Sequence, residues 1–214
     1  MYNPFNTKWR KEIMKWKHKL KYWIISILFA IVALTVIYMV YALYSNTGYF
    51  DSFFIPDFTQ RVDYETELVV RICRLGKHIA PRFAHRYYDA VTVGIDFTAR
   101  DLQNEFRAEG LPWELCKGFD DSAVLGTFVP TEKFADIQDL HFHLDIDGQT
   151  VQRGHTADML FKVDEIIAYV SQFCTLKIGD LLFTGTPVGV GPVSVGQHLQ
   201  GYLEGEKLLD FHVR

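Results

Sequence analysis

The chain is 214 residues long, and its charge is divided unequally along its length. It holds 22 basic and 26 acidic residues, for a formal net charge of −4. Residues 1–21 carry a net charge of +6, so the remainder carries −10. An acidic body offers no basic surface to phosphates, which argues against nucleic acid as a partner. The length is sufficient for one domain with a substantial core.

Residues 22–44, which follow the basic segment 1–21, are predicted to form a transmembrane helix. The 23 residues include no charged side chain. In a helix they span about 35 Å, enough to cross a hydrocarbon core of about 30 Å. Basic residues precede the run, and none follows it until Arg61, so the positive-inside rule predicts a single-pass membrane protein with a cytoplasmic N-terminus. The alternative is a core helix, which is rarely this apolar on every face.

Residues 45–57 are predicted to be a linker and residues 58–214 a domain built mainly of strands. Apolar runs with β-branched residues predict the main strands: 68–73, 90–96, 181–186, 198–205 and 208–213. The pair Asp147-Gly148 predicts a hairpin turn. One helix is predicted to begin at Thr98, capped together with Asp101, and to end near Gly110; another covers 164–174. With few helices and no regular βαβ alternation, the fold class is α+β and mainly β.

Three carboxylates form a candidate metal site: Glu65, Glu67 and Asp96. In the strand predicted through YETELVV, the two glutamates leave the same face because successive side chains alternate. Asp96 ends the strand AVTVGID. Like charges side by side on an apolar strand favour a hard divalent cation, and carboxylates without a Cys or His partner suit Mg²⁺ or Mn²⁺. The alternative is a pair of surface glutamates on an edge strand and an aspartate at a strand end.

Three other patterns are not assigned to a binding site. The run DIDG at 145–148 does not make an EF-hand loop, because the last ligand position would fall on Gly154. The glycine-rich run 185–193 lacks the Gly-Lys-Ser/Thr of a P-loop. Its glycines indicate a close approach of the backbone to a ligand or to another strand. His141 and His143 share a strand face, which is predicted to be exposed to solvent.

Four motifs, in order along the chain, resemble the fumarylacetoacetate hydrolase family in its smaller acylpyruvate hydrolase branch. They are YETELVVRI, VGIDFTARDLQ, GLPWELCKGFD and GDLLFTGTPVGVGPV. The likeness extends from about Phe54 to Arg214. It implies a mixed β-sandwich roll, a homodimer, Mg²⁺ or Mn²⁺ in the active site, and a small oxo acid as substrate.

The resemblance also assigns roles to individual residues. The family's E-x-E motif and the aspartate of D-x-T-A-R-D fall on Glu65, Glu67 and Asp96, the same three carboxylates that the strand pattern indicates. The substrate-binding and catalytic positions of the family fall on four further residues: Arg100, Gln103, Lys117 and Thr186. The first two are implied to hold the substrate carboxylate and its oxygens. The lysine is implied to face developing negative charge, and the threonine to hydrogen-bond the substrate head group.

The activity implied by the resemblance is hydrolysis of a C–C bond in an acylpyruvate. A 2,4-diketo acid would bind the cation through its carboxylate and 2-keto oxygens. Water would attack the distal carbonyl, and the departing pyruvate enolate would be stabilised by the cation as a Lewis acid. The same enolate chemistry serves oxaloacetate decarboxylation or a keto–enol isomerisation, and the carboxylates alone do not choose among these reactions.

The chain departs from the family before its first motif. Family members carry a segment resembling N-Y-x-x-H-x-x-E, whose His and Glu activate water from a helix that closes over the site. No such segment precedes Phe53, and the predicted membrane helix 22–44 stands in its place. General-base catalysis contributes about 10²–10⁴-fold, and the nearest candidate bases by sequence are His78 and His85.

Two functions and two locations therefore stay open. One function is an active hydrolase. The other is a catalytically weak, membrane-tethered module that retains affinity for a metal and an oxo acid. The resemblance favours a cytosolic domain, whereas the charges that flank residues 22–44 favour export of the domain.

Overall fold

The computed structural model describes residues 52–214, and strands dominate this part of the chain. The strands are β1 (Ser52–Phe53), β2 (Val62–Tyr64), β3 (Thr66–Ile72), β4 (Tyr88–Asp96), β5 (Thr98–Ala99), β6 (Ala123–Leu125), β7 (Val129–Pro130), β8 (His141–Ile146), β9 (Gln149–His155), β10 (Leu181–Phe183), β11 (Gly191–Pro192), β12 (His198–Leu203) and β13 (Glu206–Val213). The helices are α1 (Arg100–Glu109), α2 (Glu114–Lys117) and α3 (Val163–Phe173), with 3₁₀ turns at Pro81–Arg86, Thr131–Lys133 and Thr156–Asp158. The predicted α+β class with a majority of strands is confirmed.

The strands form three sheets. One has the order β1-β13-β12-β8-β9, the second has the order β10-β3-β4-β6 with β7 also on β4, and the third has the order β11-β2-β5. Among the described strands, every pairing is antiparallel except that of β1 with β13. This parallel pairing places Ser52–Phe53 inside the fold, and Phe53 is fully buried. Phe53, which lies within the segment 45–57 predicted to be a linker, therefore contributes to the core.

An aromatic cluster anchors the end of β4 that carries Asp96. Phe97 stacks on Phe53 with 3.8 Å between the ring centroids, and its edge meets Phe211 at 6.2 Å. A second apolar cluster joins β3 and β4 to α3 and to the five-stranded sheet. Because Phe97 directly follows Asp96, packing in the first cluster holds the backbone at Asp96 in place.

The outer face of the five-stranded sheet carries the histidines of β8. Along this strand buried residues alternate with exposed or half-exposed ones, as in an antiparallel sheet with one solvated face. His141 stacks on His155 at 4.0 Å between ring centroids, and His143 stacks on Tyr202 at 4.6 Å. The turn Asp147-Gly148 joins β8 to β9 with both residues at positive φ, as in a type I′ turn. The predicted hairpin is confirmed.

Helix α1 begins two residues later than the sequence predicts. Thr98 lies in β5, where it is paired with Asp63 of β2. The carboxylate of Asp101 accepts hydrogen bonds from the Thr59 hydroxyl at 2.5 Å and from the Gln60 backbone at 2.8 Å. The predicted capping pair is therefore wrong, because tertiary contacts occupy both of its members.

Gly110 ends α1 as predicted, in the left-handed region at φ 70°. An added Cβ would meet no atom within 4 Å. Gly110→Ala is therefore expected to destabilise the fold by about 1 kcal/mol, through backbone strain alone. Gly110→Asn should cost less, because asparagine tolerates this region. Denaturant unfolding of both variants and the wild type measures the difference, and an alanine variant as stable as the wild type would contradict it.

No helix among the described residues is long and apolar enough to span a membrane. Residues 22–44, predicted to be a transmembrane helix, lie outside the described residues, as does the basic segment 1–21.

Candidate metal centre and substrate site

The candidate site forms where β2 passes into β3. The strand predicted through Glu65 is broken at that residue, because β2 ends just before it, β3 begins just after it, and the two belong to different sheets. Glu65 nevertheless stays opposite Asp96, whose backbone N–H donates to the Glu65 carbonyl at 2.9 Å. Glu67 follows two residues later in β3, which is paired with β4. The two glutamates and Asp96 therefore lie on one side of this strand pair.

The three carboxylates converge on a shielded position. One oxygen from each of Glu65, Glu67 and Asp96 lies within 4.8 Å of the other two. Glu67 is only 4% exposed, and the side chains of Glu65 and Asp96 are 13% and 26% exposed. Three hard oxygen donors in such a place fit Mg²⁺ or Mn²⁺, which prefer oxygen ligands and retain water or substrate as well. Within residues 52–214 this is the only such group of potential ligands, and it contains no histidine.

Two cationic side chains lie against the carboxylates. Lys117 Nζ, at the end of α2, donates to Asp96 Oδ2 at 2.6 Å, to Glu65 Oε2 at 2.9 Å and to Thr98 Oγ1 at 2.6 Å. Arg100 Nη2, at the start of α1, donates to Glu65 Oε1 at 2.5 Å. Burial acts to raise the pKa of Glu65, but these hydrogen bonds bring it below its ordinary value. Burial acts to lower the pKa of Lys117, but its acidic partners raise it, so the ammonium stays charged.

Glu67 is the carboxylate without a cationic partner. Its Oε2 accepts the N–H of Gly185 at 2.6 Å, and no lysine or arginine of the described residues forms an ion pair with it. Burial raises the pKa of Glu67 to about 7, against the Gly185 hydrogen bond and with the help of the charges on Asp96 and Glu65. Burial also raises the pKa of Asp96, although Lys117 opposes it. A divalent cation would supply the positive charge that Glu67 lacks.

Arg100 is fixed in place by a buried acid. Its Nε donates to Asp63 Oδ2 at 2.8 Å, and its Nη1 donates to Gln103 Oε1 at 2.5 Å. Asp63 is 1% exposed and also accepts hydrogen bonds from Nε and Nη2 of Arg61. Sequence reasoning missed Asp63; the available signal was a further acid on the same apolar run, two residues before Glu65.

Thr186 lies in the loop that follows β10. Its hydroxyl donates to the Thr66 carbonyl at 3.0 Å and accepts from Gln152 Nε2 at 2.8 Å. The hydroxyl proton is therefore committed, and an acceptor position is what the group has left for a substrate. A cavity of about 510 Å³ opens beside this loop. Its other walls include five apolar residues: Phe142, Met159, Leu160, Phe161 and Ile166.

The two histidines nearest to the carboxylates in sequence are not part of the carboxylate group. Both are exposed. The backbone N–H of His78 donates to Ser171 of α3 at 2.9 Å, and His85 belongs to the 3₁₀ turn Pro81–Arg86. The positions of His78 and His85 therefore do not support a role for either as the general base.

The relationship to known proteins follows from a family comparison. A family model described as fumarylacetoacetate (FAA) hydrolase C-terminal matches residues 34–211, and this range includes all seven candidate site residues. The chain belongs to the fumarylacetoacetate hydrolase family. The family that the sequence motifs predicted is thereby confirmed, and the described α+β fold is the family fold. The homodimer implied by the resemblance stays a prediction.

Family members with assigned names are similar to this chain over most of its length. Mitochondrial oxaloacetate tautomerase FAHD1 of Bos taurus is 37% identical over 159 residues, which are 74% of this chain and 72% of the relative. Mitochondrial oxaloacetate decarboxylase of Dictyostelium discoideum is 38% identical over 143 residues, 67% of this chain and 66% of the relative. The crystal structure of fumarylpyruvate hydrolase from Pseudomonas aeruginosa with Mn²⁺ and pyruvate is 36% identical, with a TM-score of 0.73 over 77% of this chain and 70% of that one.

Proposed function

We propose that the chain is a metal-dependent hydrolase that cleaves a C–C bond in 2,4-diketo acids of the acylpyruvate type. The observation that carries the proposal is the convergence of Glu65, Glu67 and Asp96, with Lys117 against two of them. The similar hydrolase structure holds Mn²⁺ and pyruvate, and pyruvate is the fragment that hydrolysis of an acylpyruvate releases. Mg²⁺ or Mn²⁺ is the cofactor that the donor set fits.

The carboxylates, through the cation they would hold, and Lys117 stabilise the negative charge that develops on the substrate. Glu65, Glu67 and Asp96 would hold the cation, which supplies Lewis-acid stabilisation of an enolate oxygen when bound. Lys117 adds a second positive charge that is fixed before the reaction begins, because three acceptors already orient its ammonium. A preorganised charge of this kind lowers the barrier where negative charge develops.

The remaining candidate residues orient the substrate. Arg100 has five N–H donors, of which Asp63, Glu65 and Gln103 take three. Two donors are left for a substrate carboxylate. Gln103 is 2% exposed and its carbonyl is occupied by Arg100, so its amide N–H groups are available to a substrate oxygen. Thr186 contributes the acceptor side of its hydroxyl.

A second candidate function is keto–enol isomerisation or decarboxylation of oxaloacetate at the same site. Two similar proteins carry the names oxaloacetate tautomerase and oxaloacetate decarboxylase. Among residues 52–214, the carboxylate group includes no histidine to activate water. Isomerisation and decarboxylation both pass through an enol or enolate and need no water nucleophile, so the second candidate does not require a water-activating base at the site.

The absorbance of acetylpyruvate, followed with full-length protein in detergent, tests the proposal. Loss of absorbance with Mn²⁺ or Mg²⁺ but not with EDTA, together with release of pyruvate, is the expected result. Metal-dependent conversion of oxaloacetate without cleavage of acetylpyruvate would replace hydrolysis by the second candidate. Metal binding without turnover of either substrate would leave the catalytically weak binding module, and absence of metal binding would overturn the metal centre itself.

A further inference from the structure

Gln152 of β9 is a buried amide that joins two segments of the candidate site. It is 2% exposed, and both ends of its amide are hydrogen-bonded. Its Oε1 accepts the N–H of Thr66 at 3.0 Å, at the residue between the two glutamates. Its Nε2 donates to Thr186 Oγ1 at 2.8 Å and to the Pro187 carbonyl at 2.9 Å. One side chain therefore links the segment that carries the two glutamates to the loop 184–187.

Residues of the loop 184–187 also donate hydrogen bonds directly to Thr66 and Glu67. The Thr186 hydroxyl donates to the Thr66 carbonyl at 3.0 Å, so both backbone groups of Thr66 are engaged in the network. The preceding residue, Gly185, donates its N–H to Glu67 Oε2 at 2.6 Å. The orientation of the Glu67 carboxylate thus depends on where the loop lies, and the position of the loop depends on Gln152.

The chain after the loop also packs on Gln152. Gly189 has a φ of 107°, and an added Cβ would lie 3.3 Å from Gln152 Cγ and 3.3 Å from the Val151 carbonyl. Backbone thus comes close to the stem of the glutamine on one side while the amide is bonded on the other. Removing the Gln152 amide would leave the Thr66 N–H without its acceptor and the Pro187 carbonyl without its donor, in a buried place where unpaired polar groups are unfavourable.

We propose that Gln152 is a positioning residue for the metal centre: by holding the loop 184–187 against Thr66, it aims Glu67 and sets the affinity for the cation. It touches neither the substrate nor the cation. Removing a group that hydrogen-bonds to and orients a metal ligand typically weakens metal affinity by about 10–100-fold. The effect on affinity rests on the proposed metal centre, whereas the effect on the loop does not.

Hydrogen–deuterium exchange of the metal-free, full-length protein tests the loop. Gln152→Met keeps the length of the side chain and removes both polar groups, so the Gly185 amide is expected to exchange at least tenfold faster than in the wild type. Gln138→Met is the matched control. Gln138 Nε2 donates to the Thr156 carbonyl at 2.8 Å and its Oε1 accepts from Val163 at the start of α3 at 3.0 Å. Losing those bonds should leave exchange at Gly185 unchanged.

Titration with Mn²⁺ tests the affinity. Gln152→Met is expected to bind Mn²⁺ about 10–100-fold more weakly than the wild type, and Gln138→Met to bind it equally well. If Gln152→Met does not fold, Gln152→Glu, which keeps the acceptor for Thr66 and loses the two donors, should show the faster exchange at Gly185. Slow exchange at Gly185 in the position-152 variant, or an Mn²⁺ affinity like that of the wild type, overturns the proposal. A wild type that binds no Mn²⁺ would overturn the metal centre and the affinity effect together, and the exchange comparison would still decide whether Gln152 positions the loop.

Discussion

Replacing Glu67 by glutamine is expected to weaken Mn²⁺ binding at least a hundredfold while leaving the metal-free fold at least as stable as the wild type. Glutamine keeps the shape of the side chain and an oxygen that can accept the Gly185 N–H. It removes the only one of the three carboxylates that has no cationic partner among the described residues. Because loss of a supporting group already costs about 10–100-fold in metal affinity, loss of a direct ligand should cost at least a hundredfold.

The stability of the metal-free protein should depend on pH through the same residue. The pKa of Glu67 is raised from 4.5 to about 7 in the folded state. Below pH 4.5 the Glu67 carboxyl is protonated in both the folded and the unfolded state, so its raised pKa takes nothing from the stability. Between pH 4.5 and 7 the unfolded chain ionises first, so the wild type should lose stability, and above pH 7 the full cost, on the order of 3 kcal/mol, is present.

The glutamine variant should lack that loss. Its melting temperature at pH 8 without metal is expected to be several degrees above that of the wild type, since 1 kcal/mol corresponds to about 2–4 °C in a domain of this size. Mn²⁺ should raise the melting temperature of the wild type and not of Glu67→Gln. Glu105→Gln, on the exposed side of α1, is the control that should behave as the wild type. Full Mn²⁺ affinity in Glu67→Gln would remove Glu67 from the metal centre.

The glutamate pair of the carboxylate cluster could be predicted from sequence because its geometry is local. A spacing of two residues puts Glu65 and Glu67 on one face of an extended chain, and the observed break at Glu65 leaves that relation intact. Asp96 joins them through the pairing of β4 with β3, two strands that the apolar runs also predict. The hairpin at Asp147-Gly148 and the end of α1 at Gly110 were predictable for the same reason, since each depends on a few adjacent residues.

The features that the sequence did not predict depend on contacts between residues far apart in the chain. Gln152 contacts residues 86 positions before it and 34 positions after it, and no local pattern marks such a residue. Thr98 and Asp101 match a capping signature, yet pairing with β2 and a bond from Thr59 override the local preference. Asp63 could not be predicted for the same reason, because it binds and orients Arg100, which is 37 positions away in sequence.

Lys117→Met is expected to separate metal binding from catalysis. The ammonium of Lys117 bonds Asp96 and Glu65, two of the carboxylates that would hold the cation. Removing it takes a positive charge away from the neighbourhood of the cation, so Mn²⁺ should bind more tightly than to the wild type. Turnover should fall by about 10²–10³-fold, the usual cost of deleting one group that stabilises developing negative charge.

The opposite signs of the two effects distinguish this role from a structural one. A residue that only supported the ligands would lose metal affinity and turnover together, as a disordered site does. Lys207→Met is the control, because Lys207 forms an ion pair with Asp210 on the five-stranded sheet, and neither quantity should change there. Mn²⁺ titration gives the affinity, and initial rates at saturating Mn²⁺ give the turnover, so that a change in occupancy cannot imitate a change in chemistry.

Lys117→Arg adds a test of geometry at constant charge. Arginine keeps the positive charge, but its planar, larger head group cannot reproduce a compact ammonium within 2.6–2.9 Å of three oxygens. If placement matters as much as charge, this variant should recover little of the lost turnover while binding Mn²⁺ no better than the wild type. Full turnover in Lys117→Met at saturating Mn²⁺ would show instead that the cation alone stabilises the enolate, and that Lys117 serves to balance the carboxylates while the cation is absent.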